Sequence, residues 1–270
     1  MRRNLFTATL ALAAMTVASG PGHADGRVDA RYRISIAGLE LGRASLLIEV
    51  ASSSYVASGS ARITGVLQAV SQGRGTAGAR GALGRERLSP QAFTMEAVSD
   101  RKVEAIRLVL AANAVKDVAV EPPVKESSDR VPVSDADKKG VLDPMTGSLI
   151  LVPGKGDLLA ADSCDRTIPI FDGRQRYDLA LSYVRTEAVK AENGYAGDAL
   201  VCRIAYQPVS GHRPDRSAVK YMMKNKDIYV WLVPIPGTRL LMPFRASVAT
   251  AIGTAQLEAV SFEASDSRGK

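Results

Sequence analysis

The sequence predicts an all-β, β-rich protein whose curled antiparallel sheet forms an incomplete barrel or β-spiral. One or two short helices should pack on its concave face. Much of the chain after residue 25 alternates apolar and polar residues at a period of two, which is the pattern of a strand with one buried face. Only a few polar or glycine residues separate these segments. Neighbouring strands must therefore run antiparallel, because a parallel crossover needs about a dozen residues.

The first half of the predicted sheet is a series of short strands joined by tight turns. In each strand the apolar residues fall on one face, which we expect to be the buried face. The residues predicted to share that face are Tyr32, Ile34 and Ile36; Ala44, Leu46, Ile48 and Val50; Tyr55, Ala57, Gly59 and Ala61; Phe93, Met95 and Ala97; and Ile106, Leu108 and Leu110.

Residues 73–78 read Gly-Arg-Gly-Thr-Ala-Gly, which matches the letters of the dinucleotide-binding fingerprint. That fingerprint needs a helix directly after the glycines and an acidic residue roughly 20 positions further on. Here Ala79-Arg80-Gly81-Ala82 follows, which is a poor start for a helix. We therefore interpret the stretch as a strand of small residues that another element approaches closely.

Residues 121–135 form a polar segment with three prolines between two possible halves of the sheet, 28–121 and 136–263. The segment is either a linker between the halves or a loop that crosses the sheet. After it, Asp143-Pro144 is typical of a helix start, with proline at the first helical position. We expect a short, buried helix over residues 145–152, with Leu149, Ile150 and Leu151 packed against the sheet.

In the second half, Asp172-Gly173 predicts a two-residue hairpin turn. Residues 217–223 form either one helical turn or an irregular strand. Pro208, Pro234 and Pro243 are candidate edge-strand residues, since a proline blocks pairing at the edge of a sheet. The strongly alternating segments here are residues 177–183, 200–206 and 228–233.

The only two cysteines, Cys164 and Cys202, are expected to form a disulfide. The N-terminal residues, described next, predict export, and exported proteins mature in an oxidising compartment. Closing so long a loop would stabilise the protein by about 4 kcal/mol in the chain-entropy model. In a simple three-stranded meander, however, the first and third strands lie about 10 Å apart, whereas a disulfide needs Cα atoms within about 7 Å. Either the loop of Cys164 folds back over the strand end, or the sheet is not a simple meander.

Residues 1–24 have the features of a signal peptide that is cleaved between Ala24 and Asp25. A positively charged arginine pair precedes an apolar stretch, residues 5–19, which is shorter than the ~20 residues of a membrane span. The surroundings of the arginine pair fit a twin-arginine signal poorly, so we expect Sec-type export to the periplasm. The mature chain, 25–270, is expected to be a single β-rich domain without a transmembrane segment.

The formal net charge of +7 favours either anionic partners or simple solubility. Basic residues are spread along the sequence and are not interleaved with aromatic residues. This pattern argues against a nucleic-acid partner.

Candidate catalytic residues are few. Once the signal peptide is removed, His212 is the only histidine, which excludes a multi-histidine metal site. A Ser–His–Asp arrangement with Asp215 is formally possible, but no Gly-x-Ser-x-Gly elbow accompanies it. We assign no catalytic residue, metal ligand or cofactor. Trp231, with Leu149 and Ile150, is a candidate lining of a ligand groove, the alternative being that the tryptophan is a core residue.

The order of segments resembles a proteobacterial envelope family catalogued as domain of unknown function 3108, over residues 31–262. The matching stretches are Tyr32-Arg-Ile-Ser-Ile-Ala-Gly-Leu-Glu-Leu-Gly-Arg-Ala-Ser, Leu88-Ser-Pro-Gln-Ala-Phe, Val141-Leu-Asp-Pro-Met, Cys164-Asp-Arg-Thr-Ile-Pro-Ile-Phe-Asp-Gly, Trp231-Leu-Val-Pro and Leu241-Met-Pro-Phe-Arg. The family looks similar in architecture to periplasmic lipoprotein carriers, whose curved sheets embrace a helix and hold an acyl chain. The resemblance implies no catalytic residues.

These expectations favour a non-enzymatic exported protein that supports the cell envelope, by binding a lipid, an acyl chain or a lipoprotein in its concave face. The alternative is a structural module that contacts outer-membrane proteins or peptidoglycan. A hydrolase of envelope polymers is the third hypothesis.

Overall fold

The computed structural model describes residues 26–65, 72–100 and 102–266. Their strands are β1 Gly26–Ile36, β2 Leu39–Val50, β3 Ser54–Ile63, β4 Gly73–Leu83, β5 Leu88–Ser99, β6 Lys102–Ala111, β7 Ala114–Glu121, β8 Ile150–Leu151, β9 Arg166–Phe171, β10 Arg176–Lys190, β11 Asn193–Gly194, β12 Ala196–Ser210, β13 Ile228–Pro234, β14 Leu240–Thr250 and β15 Gly253–Asp266. One α-helix, α1, spans Ser217–Lys224 of this described part. The predicted signal peptide and its cleavage site between Ala24 and Asp25 lie outside the described residues.

All these strands belong to one sheet, which confirms the all-β prediction. The main path runs β7-β6-β5-β4-β3-β2-β1-β15-β14-β13-β12-β10-β9, and it does not close on itself. Neighbours on this path are antiparallel, whereas the short strands β8 and β11 pair beside it with β14 and β15. At the centre of the path, β1 pairs with β15 along its whole length. The first and the last described strands therefore lie side by side at the centre of the sheet, and the path runs without a break from β7 to β9.

The inner face of the curled sheet holds the largest buried cluster, to which Ile48, Tyr55, Phe244 and Phe262 belong. The predicted alternation is confirmed for β2, β3 and β6, because the residues expected on one face of each strand share the inner face. The expected burial fails at Ala61, which is exposed. Residues 73–78 lie in β4, as the interpretation against a dinucleotide-binding loop required. Further along the path β13 is buried on both faces, so its residues contribute to two clusters.

The polar segment after β7 crosses to the second half of the sheet and fills the gap between its two edge strands. Six residues after the segment ends, Val141 N donates to the carbonyl oxygen of Asn113 beside β7, at 2.9 Å. One residue later, Leu142 N donates to Pro169 O on β9, at 2.8 Å. Earlier, Val131 N donates to the carbonyl oxygen of His212. Of the two alternatives for residues 121–135, the structure therefore shows the crossing loop.

The expected helix over residues 145–152 is wrong. Asp143 Oδ1 accepts hydrogen bonds from the N–H groups of Met145 and Thr146, as at a helix start, but only one 3₁₀ turn follows, at Thr146–Ser148. The chain then extends, and β8 pairs with β14. Gly147 and Ser148 are weak helix formers, and β14 offers backbone partners that a helix would leave unused. The predicted burial of Leu149, Ile150 and Leu151 is confirmed.

Cys164 and Cys202 form the predicted disulfide, with their Cα atoms 5.6 Å apart. In the sheet β10 lies between β9 and β12, so a cysteine within β9 would be too far from Cys202. Cys164 instead follows the 3₁₀ turn Ala161–Ser163, which lies against β10 before β9 begins. The first of the two expected solutions, a loop folded over the strand end, is therefore the one observed.

The prolines proposed as edge residues lie in interior strands of the path, but each lies where the pairing with one neighbouring strand has ended, so it borders a locally open edge. Pro234 ends β13, and Pro243 lies beside the register shift between Trp231 and Leu232. Pro208 likewise lies beside a register shift between β10 and β12. Strand ends and bulges tolerate the missing N–H group of proline, which explains these positions.

Candidate functional site

A cleft of about 390 Å³ opens on the inner face of β2, β3, β4 and β5, and we call it the inner cleft. Two cross-strand rows of small or apolar residues form its floor. The first row pairs Ala44, Ala61, Gly75 and Ala97 across the four strands, and the second pairs Leu46, Gly59, Ala77 and Met95. Because glycine and alanine carry so little side chain, the sheet leaves open space there instead of packing against the opposite wall.

The opposite wall of the inner cleft comes from the second half of the chain. Met145 and Ser148 reach it from the 3₁₀ turn, and Pro243 and Leu257 reach it from β14 and β15. The hydroxyl of Tyr32 at its border donates to Pro243 O at 2.7 Å, which ties the two walls together. The lining is apolar almost throughout.

Residues 143–152 fill the concave face only partly. Leu149 and Leu151 pack in the large core cluster, whereas Met145 remains at the side of the inner cleft. A Cβ on Gly59 would lie 3.4 Å from Met145 Cε, so the methionine already touches the floor there. The concave face is therefore plugged at one end and open at the inner cleft.

We call residues 143–152, which fill part of the concave face, the plug. Tyr55, Thr146 and Asp143 form a polar cluster there, and all three are fully or almost fully buried from solvent. The Tyr55 hydroxyl lies 2.8 Å from Thr146 Oγ1. Burial raises the pKa of the Asp143 carboxyl, and hydrogen bonds from Thr146 and Met145 oppose that shift without cancelling it. Burial also raises the pKa of Tyr55. The cluster thus holds the 3₁₀ turn in place. Its three residues do not line the inner cleft, whereas the adjacent Met145 does.

The model of the family described as a protein of unknown function, DUF3108, matches residues 31–260. The chain belongs to this family. Among solved structures, the beta-barrel-like protein of domain of unknown function DUF1849 from Brucella abortus is similar, with 10% sequence identity and a TM-score of 0.46. That match covers 90% of this chain and 99% of the other. No curated protein matches the sequence.

In this DUF3108 chain, the three residues predicted to line a groove lie elsewhere than in the inner cleft. Trp231 and Leu149 are in the large core cluster, and Ile150 is in the cluster that surrounds the disulfide. The guanidinium groups of Arg185 and Arg245 lie 6.0 and 5.0 Å from the centre of the Trp231 ring. Such cation–π contacts hold the indole in place. A role of these residues in ligand binding stays a prediction.

In the part of this DUF3108 chain that the structure describes, no hydrogen bond joins the side chains of His212 and Asp215. His212 is buried, and its carbonyl oxygen accepts the hydrogen bond from Val131 that anchors the crossing loop. The carboxylate of Asp215 pairs instead with Lys220, at 2.8 Å. Within the described ranges, no group of three or more histidine, cysteine, aspartate or glutamate residues is placed to hold a metal ion.

Other depressions on the described surface are less suited to an apolar ligand. One of them, of about 940 Å³, is lined in part by the charged residues Arg85, Glu86, Lys155 and Arg239. Among the described residues, no helix is long and apolar enough to cross a membrane.

The small residues of the inner cleft were missed by sequence reasoning as a site, although their shared face was expected. Ala61, Gly75 and Ala97 look unremarkable in separate strands. They become a lining only when the strand register places them side by side. Runs of alanine and glycine at period two in adjacent strands are the signal that points to such a site.

Proposed function

We propose that this protein binds an acyl chain in the inner cleft and acts as a non-enzymatic carrier or support protein of the cell envelope. The observation that carries the proposal is an apolar cleft of about 390 Å³ on the concave face. Ligand pockets typically enclose about 300–1,000 Å³, so the cleft has the size of a binding site.

An acyl chain fits this lining better than a polar metabolite. Ser45, Ser60, Thr76 and Glu96 also border the cleft, but the strand register turns their side chains to the outer face. The hydroxyls of Tyr32 and Ser148 already donate to the carbonyl oxygens of Pro243 and Met145. A polar ligand would lose its hydration there without compensation. Met95 and Met145 face the cleft from opposite walls, and their flexible thioether side chains adapt to an unbranched chain.

Export to the periplasm is part of the proposal. The disulfide between Cys164 and Cys202 is compatible with an oxidising compartment. The signal-peptide pattern of residues 1–24 supports the same location. A carrier outside the cytoplasm would shield an acyl chain from water while it moves between membranes.

The test is binding of a fluorescent fatty acid to the mature protein, with two variants that fill the cleft, Ala61→Leu and Ala77→Leu. Both side chains line the cleft, so each leucine should weaken binding at least about tenfold, since it occupies the space of the ligand. Ser58→Leu is the matched control, because Ser58 is exposed on the outer face of the same strand as Ala61.

Thermal unfolding of each variant checks that the sheet is intact. Failure of the wild-type protein to bind the probe would refute the proposal. So would equal binding by the two filled variants and the wild-type protein. Native mass spectrometry of protein purified from its own periplasm then identifies the ligand.

A further inference from the structure

Four arginines form a continuous row on the outer face of β1 to β4, and we call them the arginine row. Arg33 pairs with Arg43, Arg43 with Arg62, and Arg62 with Arg74 in the strand register. Directly paired residues point to the same face of a sheet, about 4.8 Å apart from strand to strand. The row therefore spans about 14 Å.

Counter-charges neutralise only one end of the arginine row. Arg43 pairs with Glu40 at 2.9 Å, and Arg33 lies 3.8 Å from Glu258 and 3.9 Å from Glu192. Arg62 and Arg74 have no ion pair within the described ranges. Like charges directly opposite each other destabilise a sheet. Anions bound from outside the protein would therefore stabilise the arginine row.

A second row on the same face supplies hydroxyl groups. Ser45 pairs with Ser60, and Ser60 with Thr76, while Glu96 ends the row on β5. The hydroxyls of Ser45 and Ser60 lie 2.9 Å apart. Together with Arg31 and three members of the arginine row, Arg43, Arg62 and Arg74, these residues line a depression of about 540 Å³. Guanidinium and hydroxyl groups side by side are the usual partners of phosphate oxygens.

Two hairpin tips lie beside each other at the same end of the sheet. Ala37 N in the β1–β2 tip donates to Thr254 O just after the β14–β15 tip, at 3.0 Å. Leu39 in the first tip is 50% exposed, and Ile252 in the second is 74% exposed. A single exposed aliphatic side chain needs no explanation, but two on adjacent tips mark a contact surface.

Helix α1 extends this surface. None of its residues is buried, and Tyr221 and Met223 are exposed. The Tyr221 hydroxyl donates to Ala249 O at 3.0 Å, and Asn225 Nδ2 donates to the same oxygen at 2.9 Å. Ala249 lies just before the tip that carries Ile252, so helix and tip are neighbours. Lys224 and Lys226 accompany the apolar residues here, whereas Lys220 is paired with Asp215.

The spacing between tips and arginines matches a membrane interface. Leu39 precedes Arg43 by four residues, which corresponds to about 13 Å along a strand. Apolar side chains of peripheral proteins enter the interface by about 5–10 Å. If Leu39 enters to that depth, the arginines about 13 Å further along the strands lie near the lipid headgroups. A lipid phosphate supplies the anions that Arg62 and Arg74 lack. An acidic glycan would also neutralise these arginines, but it would leave Leu39, Ile252 and Met223 without a partner.

We propose that this end of the sheet docks on a membrane surface of anionic phospholipids. The two tips and α1 enter the interface, and the arginine row binds phosphates. The inner cleft lies on the inner side of the same strand ends, since Ala44 and Ala61 are sequence neighbours of Arg43 and Arg62. Docking would bring the cleft close to lipid, but it does not depend on the cleft holding an acyl chain.

The experiment is co-flotation of the mature protein with vesicles of phosphatidylglycerol and phosphatidylethanolamine, compared with vesicles of phosphatidylcholine. Two double variants test the two parts of the surface. Leu39→Ser with Ile252→Ser should weaken binding to the anionic vesicles at least about tenfold. Arg62→Gln with Arg74→Gln should weaken it about fivefold for each arginine at low salt, with a shallower dependence on salt.

A matched control exists on the same strands and the same face. Val56 is 50% exposed, like Leu39, and it pairs with Arg80 at the other end of β3 and β4. Val56→Ser with Arg80→Gln should bind anionic vesicles like the wild-type protein. Thermal unfolding shows whether each variant is folded.

Several outcomes would overturn the proposal: no binding to anionic vesicles, equal binding to phosphatidylcholine, or an equal loss in the control. Capture of a protein partner by the wild-type chain without vesicle binding would do the same. The fatty-acid assay separates this result from the proposed function, because the tip and arginine variants leave the inner cleft unchanged and should bind the probe normally.

Discussion

The hydroxyl groups of Tyr55 and Thr146 lie 2.8 Å apart in the core, and they join the first half of the sheet to the turn that plugs the concave face. Both residues are fully buried, and neither hydroxyl has access to water. Asp143 completes the cluster by binding the N–H groups of Met145 and Thr146. The position of the plug, and with it one wall of the inner cleft, depends on this cluster.

Removal of one of the two hydroxyls should therefore cost stability. We expect Thr146→Val to lower the free energy of unfolding by about 1–3 kcal/mol, because it leaves the buried Tyr55 hydroxyl unpaired and removes the hydrogen bond to Asp143. Tyr55→Phe should cost about 0.5–1.5 kcal/mol, because Thr146 keeps its hydrogen bond to Asp143. The double variant should lose less than the sum, because no unpaired hydroxyl remains. Urea unfolding of the four proteins measures this. Ser45→Ala, at the exposed hydroxyl pair of the outer face, is the control and should change stability by about 0.5 kcal/mol or less.

Replacement of Asp143 should change how stability depends on pH. Since burial raises the pKa of this carboxyl, the folded protein binds more protons than the unfolded chain between the ordinary aspartate pKa of about 3.9 and the raised value. Its contribution to stability is complete below that window and is lost as the pH rises through it. The wild-type protein should therefore lose stability with rising pH relative to Asp143→Asn, which carries no charge.

Urea unfolding of the wild-type protein and Asp143→Asn from acidic to neutral pH measures that difference. Asp172 is also buried with a raised pKa, so only the difference between the two proteins isolates Asp143. A difference that does not vary with pH would contradict the prediction.

Loss of the disulfide should destabilise the whole sheet. We expect the double variant Cys164→Ser, Cys202→Ser to unfold with a free energy lower by about 2–4 kcal/mol, because the unfolded chain regains the entropy of an open loop. The 3₁₀ turn over β10 also loses its covalent anchor. Addition of a reductant should lower the thermal midpoint of the wild-type protein to that of the variant, and it should leave the variant itself unchanged.

Two glycines of β4 offer a matched test of close packing. A Cβ on Gly81 would lie 2.5 Å from both Ser89 O and Tyr55 Oη, whereas a Cβ on Gly78 would be no closer than 3.5 Å to any atom outside its neighbours. Gly81→Ala should therefore cost about 1–3 kcal/mol through overpacking. Gly78→Ala should be neutral or slightly stabilising, since it only restricts the unfolded chain. Thermal and urea unfolding compare the stability of the two variants. Equal effects would contradict the prediction, because they would show that the close contacts of Gly81 with Tyr55 and Ser89 do not prevent a larger side chain.

Much of the local structure follows from short-range patterns in the sequence. Alternation at period two placed the inward residues of β2, β3 and β6 on the correct face. Asp172-Gly173 marked the position of the hairpin between β9 and β10, but the predicted two-residue turn is wrong, because the four residues 172–175 connect the strands. The disulfide followed from the expected compartment, and the distance between alternate strands required the looped path that Cys164 takes. The strand faces and the hairpin position could be predicted because each depends only on residues within one short segment.

Long-range pairing was beyond such reasoning. The stretch over residues 145–152 is apolar enough for a buried helix, and only the presence of β14 as a pairing partner decides for a strand. The arginine row illustrates the same limit. Basic residues spread along the sequence appeared not to be clustered, yet antiparallel pairing brings Arg33, Arg43, Arg62 and Arg74 into one line. Register, including its bulges, is set by tertiary contacts that a single segment does not reveal.

The pairing of β1 with β15 has a consequence for how the protein is made. The strands from β1 to β7 pair with their sequence neighbours, so they can form as soon as they emerge. The other edge of β1, however, waits for residues 253–266, more than two hundred positions later. Contacts so distant along the chain slow folding, and an unpaired strand edge invites association with other chains. The open edge of β1 therefore stays unpaired until the C-terminal strand has been made, and the centre of the sheet cannot be completed before then.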